Sequence, residues 1–200
     1  MLRVSWSFWL LVLLAAAVSP LPVVLSVLLA AALHECGHLL ALRAFGVRAE
    51  GLRLSALGAV LYAHGAQRLS YGRELLVTLA GPGANLLCGF LTALLALRLS
   101  WTDGFVLAGA HLLLAAFNLL PIPPLDGSRA LYLAAAFFFG PLVGDAVTAV
   151  TGALFALALS GAGLWLHLKT GAGLFFLLAS LALLLGVLPQ LRLAKSAARV

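Results

Sequence analysis

Charge is scarce in this 200-residue chain: 9% of its residues are Asp, Glu, Lys or Arg, against 64% that are hydrophobic. A soluble domain carries about 25% charged residues. An ordinary water-facing surface is therefore excluded, and the mean hydropathy of +1.16 points to a membrane protein. Acidic residues number only six, which makes the position of each informative. Cysteine is nearly absent too. Cys36 and Cys88 both fall inside apolar runs and give neither a disulfide framework nor a thiolate metal site. The net charge is +6, but the basic residues are scattered between apolar runs rather than gathered into a patch. They read as determinants of membrane topology, not as a nucleic-acid surface. A chain of this length makes one compact bundle, without room for a second soluble domain of ordinary size.

What is abundant is long apolar sequence, interrupted at a few places. Residues 5–18 are apolar and follow Arg3, with Pro20 and Pro22 beyond. They read as a retained first span anchored by Trp6 and Trp9, although a basic start before a short apolar core also describes a signal peptide. A second span covers 22–44. Residues 47–65 alternate in short stretches between glycines and predict strands and turns. A third span, 74–98, contains A-G-P-G-A-N at 80–85; Gly81 and Pro82 predict a loosened helix, and Gly83 and Ala84 a close approach by a neighbour. Asn85 needs a hydrogen bond inside the bundle. Apolar sequence at 104–120 breaks at N-L-L-P-I-P-P-L-D-G (118–127) and resumes at 128–139, a discontinuous fourth span. Two more spans follow at 142–166 and 171–188. The expected fold is an all-α polytopic membrane protein of about six transmembrane helices, with a small membrane-associated β-hairpin after the second.

Charge distribution supports that order. With a cytoplasmic N-terminus, Arg3, Arg43, Arg48, Arg53, Arg68, Arg73, Arg192, Lys195 and Arg199 all fall on the cytoplasmic side, against Arg98 and Lys169 opposite. This strong positive-inside bias places both termini in the cytoplasm of a multi-pass cell-membrane protein.

The chemistry concentrates in L-H-E-C-G-H, residues 33–38. His34 and His38 are one helical turn apart on one face, so two imidazoles can reach one divalent metal, with Glu35 beside them as a candidate base for an activated water. Glu35 and Asp126 are the two acidic residues set well inside apolar sequence. Ionisable groups at membrane depth cost roughly 2.5–3.5 kcal/mol each on insertion scales, and a carboxylate there seeks a cation. Two imidazoles and Asp126 make a three-ligand zinc site with one position left open. Among the remaining candidates, His111 lies seven residues before Asn118 and reads as a packed or hydrogen-bonded histidine rather than a ligand. Cys36, about 200° around the helix from His34, is expected to pack against a neighbour.

H-E-C-G-H, A-G-P-G-A-N and N-L-L-P-I-P-P-L-D-G resemble, in order and spacing, the three motifs of the site-2 protease family (peptidase M50) of intramembrane zinc metalloproteases. The resemblance covers residues 22–139 as a catalytic core within one membrane-embedded domain spanning 1–200. It is nearest to the bacterial branch typified by the stage IV sporulation protein FB. The CBS domain usual in that branch is not expected here, and neither is a PDZ domain. By that resemblance His34, His38 and Asp126 hold one Zn2+, Glu35 is the general base and later the proton donor, and Asn118 holds the substrate backbone or the oxyanion. Gly81, Pro82 and Asn85 shape the contact between the metal helix and its neighbour. The 47–65 segment offers an edge for strand addition. The implied substrate is a membrane-tethered protein cut in or near its transmembrane segment, such as a sigma-factor precursor in sporulation, under the control of partner membrane proteins. The rival from another class is a metal-ion transporter with an intramembrane His/Asp site. Against it stand the lack of an internal repeat and the Glu directly after the first His.

Overall fold

The computed structural model describes residues 2–55, 58–64, 69–171 and 173–197. Its elements run β1 (Leu2–Val4), α1 (Trp6–Val18), α2 (Leu21–Ala44), β2 (Arg48–Ser55), β3 (Gly58–His64), α3 (Tyr71–Leu99), α4 (Thr102–Asn118), α5 (Asp126–Phe139), α6 (Pro141–Thr170) and α7 (Leu174–Ala197). The chain divides into two compact units, Met1–Phe117 and Asn118–Val200.

The breaks between helices lie where local chemistry forces them. Pro20 and Pro22 open α2, where a missing N–H costs nothing and φ is already helical. Gly46, at φ 74°, takes the chain out of that helix. Ser100 ends α3 in the left-handed region at φ 52°. Gly140 at φ 87° and Pro141 separate α5 from α6, and Gly171 at φ 68° closes α6. The loosening expected at Gly81 and Pro82 does not break the helix. α3 runs without interruption from Tyr71 to Leu99 with Pro82 inside it. The proline withholds one backbone donor from the Thr78 carbonyl, and packing against a neighbouring helix keeps the rest of the helix intact.

Among the described residues, three helices are long and apolar enough to cross a membrane: α2, α3 and α6, of 24, 29 and 30 residues. Trp6–Val18, Thr102–Asn118 and Phe176–Val187 are apolar but shorter. At 1.5 Å per residue, the 13 residues of α1 reach about 20 Å, less than the ~30 Å of a hydrocarbon core. The expected count of six spans therefore exceeds what helix length alone supports.

In the first unit the expected hairpin is present, with β2 antiparallel to β3 and Leu52 opposite Leu61. A third strand joins it. β1 pairs parallel to β2, with Leu2, Arg3 and Val4 opposite Leu52, Arg53 and Leu54, giving the order β1-β2-β3. A parallel pair needs a long crossover, and the α1–α2 hairpin supplies it. β2 therefore has a partner on each side, and among the described residues the hairpin's open edge is that of β3. A cavity of about 630 Å³ lies on this sheet, lined by residues that include Arg3, Glu50, Arg53 and Tyr62. None of its lining residues belongs to the histidine cluster.

In the second unit the irregular segment after Asn118 packs into an apolar core. Ile122 is fully buried against Ala156 of α6 and Val187 of α7, with Leu120 and Leu125 alongside. The Pro123–Pro124 bond is cis. Gly152 makes room for the segment, because a Cβ there would stand 2.8 Å from the Pro123 ring and 3.3 Å from the Pro121 carbonyl.

Candidate metal centre

The histidines owe their positions to the contact between α2 and α3. On α2, Ala30, His34 and Gly37 are buried at helical spacing; on α3, Thr78, Gly81, Pro82, Asn85 and Gly89 form the facing stripe. The backbones touch. A Cβ at Gly37 would stand 2.5 Å from the Ala80 carbonyl oxygen and 2.9 Å from the Ala84 Cβ. Gly83, expected to make this contact, has nothing within 4 Å of its Cβ position. It sits about 200° around the helix from Gly81, on the opposite face. Cys36 is exposed rather than packed, for the same reason: α3 covers the His34 face and the thiol points away from it.

The two imidazoles meet edge to face, with ring centroids 4.8 Å apart and planes at 78°. Their Nε2 atoms are 3.1 Å apart. Each ring is held from behind. His38 Nδ1 donates to the Val77 carbonyl at 2.8 Å, and His34 Nδ1 meets the Asn85 side-chain amide at 3.3 Å. The same amide meets His111 Nδ1 at 3.0 Å. His34, Asn85 and His111 are 5%, 0% and 1% exposed, so this is an interior polar chain. It fulfils the expectation that Asn85 hydrogen-bonds inside the bundle. Gly89 lets α4 come close enough for it, since a Cβ there would stand 2.9 Å from the Leu112 side chain and 3.2 Å from the His111 Cβ.

The pair fits a zinc ion. At Zn–N distances of about 2.0–2.1 Å and a near-tetrahedral angle, two nitrogens lie roughly 3.3 Å apart, close to the separation observed. Ligating histidines characteristically donate their second ring N–H to a carbonyl or a comparable acceptor, as His38 does to Val77; behind His34 stands the Asn85 side-chain amide nitrogen. Space is kept open as well. A Cβ at Gly81 would stand on His38 Nε2 and 2.8 Å from His34 Nε2, so only glycine leaves the two lone pairs clear. Glu35 follows His34 on α2 and is half-buried.

The other predicted site residues belong to the second unit. Asn118 closes α4 and is half-buried. Asp126 is the first residue of α5 and is half-buried, followed by the buried Gly127 and Ser128. A carboxylate in the first turn suits the positive end of the helix dipole. Gly127 is demanded by shape: a Cβ there would stand on the Leu119 carbonyl and 2.6 Å from that of Leu120. Sequence reasoning did not single out Gly37 or Gly152. Gly37 lay inside the metal motif itself, while Gly152 carried no local signal.

Compared with solved structures, the chain is similar to the site-2 protease from Methanocaldococcus jannaschii, with a TM-score of 0.69. The match covers 94% of this chain and 89% of that one, at 22% identity. The fold is that of a site-2 protease. At that identity the likeness is one of fold, and it extends over both units. No protein-family model matches the chain, and no curated protein does.

Proposed function

We propose that the chain is an intramembrane zinc metalloendopeptidase that hydrolyses a peptide bond in or near a transmembrane segment of a membrane-tethered protein. His34, His38 and Asp126 are its zinc ligands, one ion per chain, and Glu35 is the general base. The observation that carries this proposal is the pair of Nε2 atoms 3.1 Å apart, each ring held from behind, facing a glycine in a helix long enough to span a bilayer. The likeness of fold adds to it. The transporter alternative draws on the same group of residues and is the less favoured reading.

Zinc in such a site supplies Lewis acidity, activating water and polarising a carbonyl. Glu35 takes the proton released as the water attacks and returns it to the leaving amine. Asn118 holds the substrate backbone or the developing oxyanion with its side-chain amide. Gly81, Pro82 and Asn85 shape the α2–α3 contact. A substrate helix has its amides internally bonded, so it must unwind before attack, and an extended segment can then add to the open edge of β3. We further propose six spans with both termini in the cytoplasm, and cleavage near the cytoplasmic face because the motif lies toward the Arg43 end of α2. The whole chain works as one protease domain with its core at 22–139. Its client is a membrane-tethered precursor such as a sigma factor, under the control of partner membrane proteins.

The test is zinc per polypeptide in detergent-purified protein, prepared without chelators. About one zinc is expected in wild type and a clear loss in Asp126→Ala and His34→Ala. Retention in Asp126→Ala would assign the third ligand elsewhere.

A further inference from the structure

We propose that the cavity on the β1-β2-β3 sheet binds the phosphodiester of an anionic phospholipid headgroup between Arg3 and Arg53. The cavity lies within the first unit and shares no residue with the candidate metal centre, so it does not depend on the zinc reading.

Strand register brings the two arginines together. β1 runs parallel to β2 with Arg3 opposite Arg53. Partners on neighbouring strands share a face of the sheet, and the strands lie about 4.8 Å apart. Like charges set directly opposite each other weaken a sheet. Both arginines are exposed and line the same cavity. An anion seated between them replaces that repulsion with charge-assisted hydrogen bonds, and the planar fork of arginine matches phosphate oxygens in pairs. Gly51, two residues before Arg53 and so on the same face, stands opposite Tyr62. Having no side chain, it leaves the hollow that Tyr62 borders.

Glu50 selects the kind of anion. It is the extra residue of a β-bulge, where Ala49 and Gly51 face Ala63 and Tyr62, and it lines the cavity beside the two arginines. Two guanidinium groups and one carboxylate leave the lining one net positive charge. A phosphodiester carries one negative charge and balances it; a phosphomonoester carries about 1.5 to 2 and does not. The volume of about 630 Å³ exceeds the space of a lone phosphate group and suits a small organic headgroup.

The element next to the sheet places it among lipids. The Ser5 N–H donates to the Leu54 carbonyl at 2.9 Å, so β1 leads directly into α1. No residue of α1 is buried, and the helix is apolar on every side. Hydrocarbon is the surrounding that such a helix fits. Its first turn carries Trp6 and Trp9, 90% and 54% exposed, and tryptophan gathers at headgroup level. Arg3 therefore stands just before the point where the chain enters the apolar layer, where basic pockets meet lipid phosphates.

Native mass spectrometry of the full-length protein, released from detergent micelles, counts the bound lipid. One phosphatidylglycerol per chain is expected, held at least about tenfold more tightly than phosphatidylcholine, whose headgroup has no net charge. Arg3→Gln and Arg53→Gln are each expected to weaken it about fivefold or more, the worth of one basic residue at an anionic membrane surface. Arg98→Gln, in the last turn of α3 and about 40 Å from that helix's start, is expected to leave it unchanged. Equal weakening in Arg98→Gln would mean diffuse attraction and overturn the site. Displacement of the lipid by millimolar inorganic phosphate would make a soluble phosphate the ligand, and displacement by an acidic peptide would make it a peptide site; either overturns the proposal. In lipid-free micelles Arg3→Gln is expected to melt no lower than wild type, because it removes one of two like charges. A clear drop would show the arginines bracing the sheet itself, and would overturn the proposal as well.

Discussion

The two units hold their candidate site residues by opposite means. In the first, polar side chains are held by individual hydrogen bonds across a helix contact made almost backbone to backbone. In the second, Asp126 is placed by shape, where an irregular segment is wedged between an apolar core and a glycine that meets its carbonyls. The histidines therefore answer to the loss of single atoms and Asp126 to changes in volume. Substitutions at glycine separate the two cases, because the same added methyl group meets ring nitrogens in one unit and main chain in the other.

The largest effect is expected where main chain meets main chain. Gly127→Ala puts a methyl on the Leu119 carbonyl. Neither side can yield cheaply, so a loss of about 3 kcal/mol or more is expected, at the upper end of overpacking. Thermal unfolding in detergent checks it. Ile122→Ala, at a fully buried site, is expected to lose about 2–5 kcal/mol by the same measurement. Should Gly127→Ala unfold like wild type, the shape-based account of Asp126 is wrong. Gly81→Ala is expected to behave differently: zinc content falls to roughly a tenth of wild type or lower, with a smaller change in stability of about 1–3 kcal/mol, since ring side chains can swing aside where backbone cannot. Elemental analysis beside a melting curve tells the two apart. Gly152→Ala meets the edge of the Pro123 ring and is expected to cost about 1–2 kcal/mol. Smallest is Gly83→Ala, which meets nothing; it is expected to stabilise α3 by about 0.5–1 kcal/mol through helix propensity. Zinc loss in Gly83→Ala equal to that in Gly81→Ala would erase the distinction between the two faces of α3.

The sequence made the helix boundaries readable because Pro20, Pro22, Gly46, Gly140 and the Pro121–Pro124 run punctuate them with backbone chemistry that needs no partner. The metal motif was readable for a related reason: four-residue spacing fixes a shared face whatever packs on it. What stayed hidden depends on partners. Whether Pro82 ends its helix is decided by the packing around it, not by the proline alone. Cys36 is exposed because α3 packs on the His34 side, which no spacing in α2 reveals. The choice between Gly81 and Gly83 could have been made from Asn85, which shares a face with Gly81 four residues away, but only if the asparagine rather than the glycines was taken as the guide. β1 is too short, at three residues, to show any period at all, and it exists because β2 offers it an edge.

On the proposed zinc ligation, Gly81 also alters how an inactive relative would be recognised. Pseudoenzymes are ordinarily diagnosed by a missing ligand or a missing base. Here the ring nitrogens stay clear only because a side chain is missing at a position that is neither. A chain could keep both histidines, the glutamate and the aspartate, and still be silenced by a single methyl group at position 81, in a motif that a survey of catalytic residues would pass over.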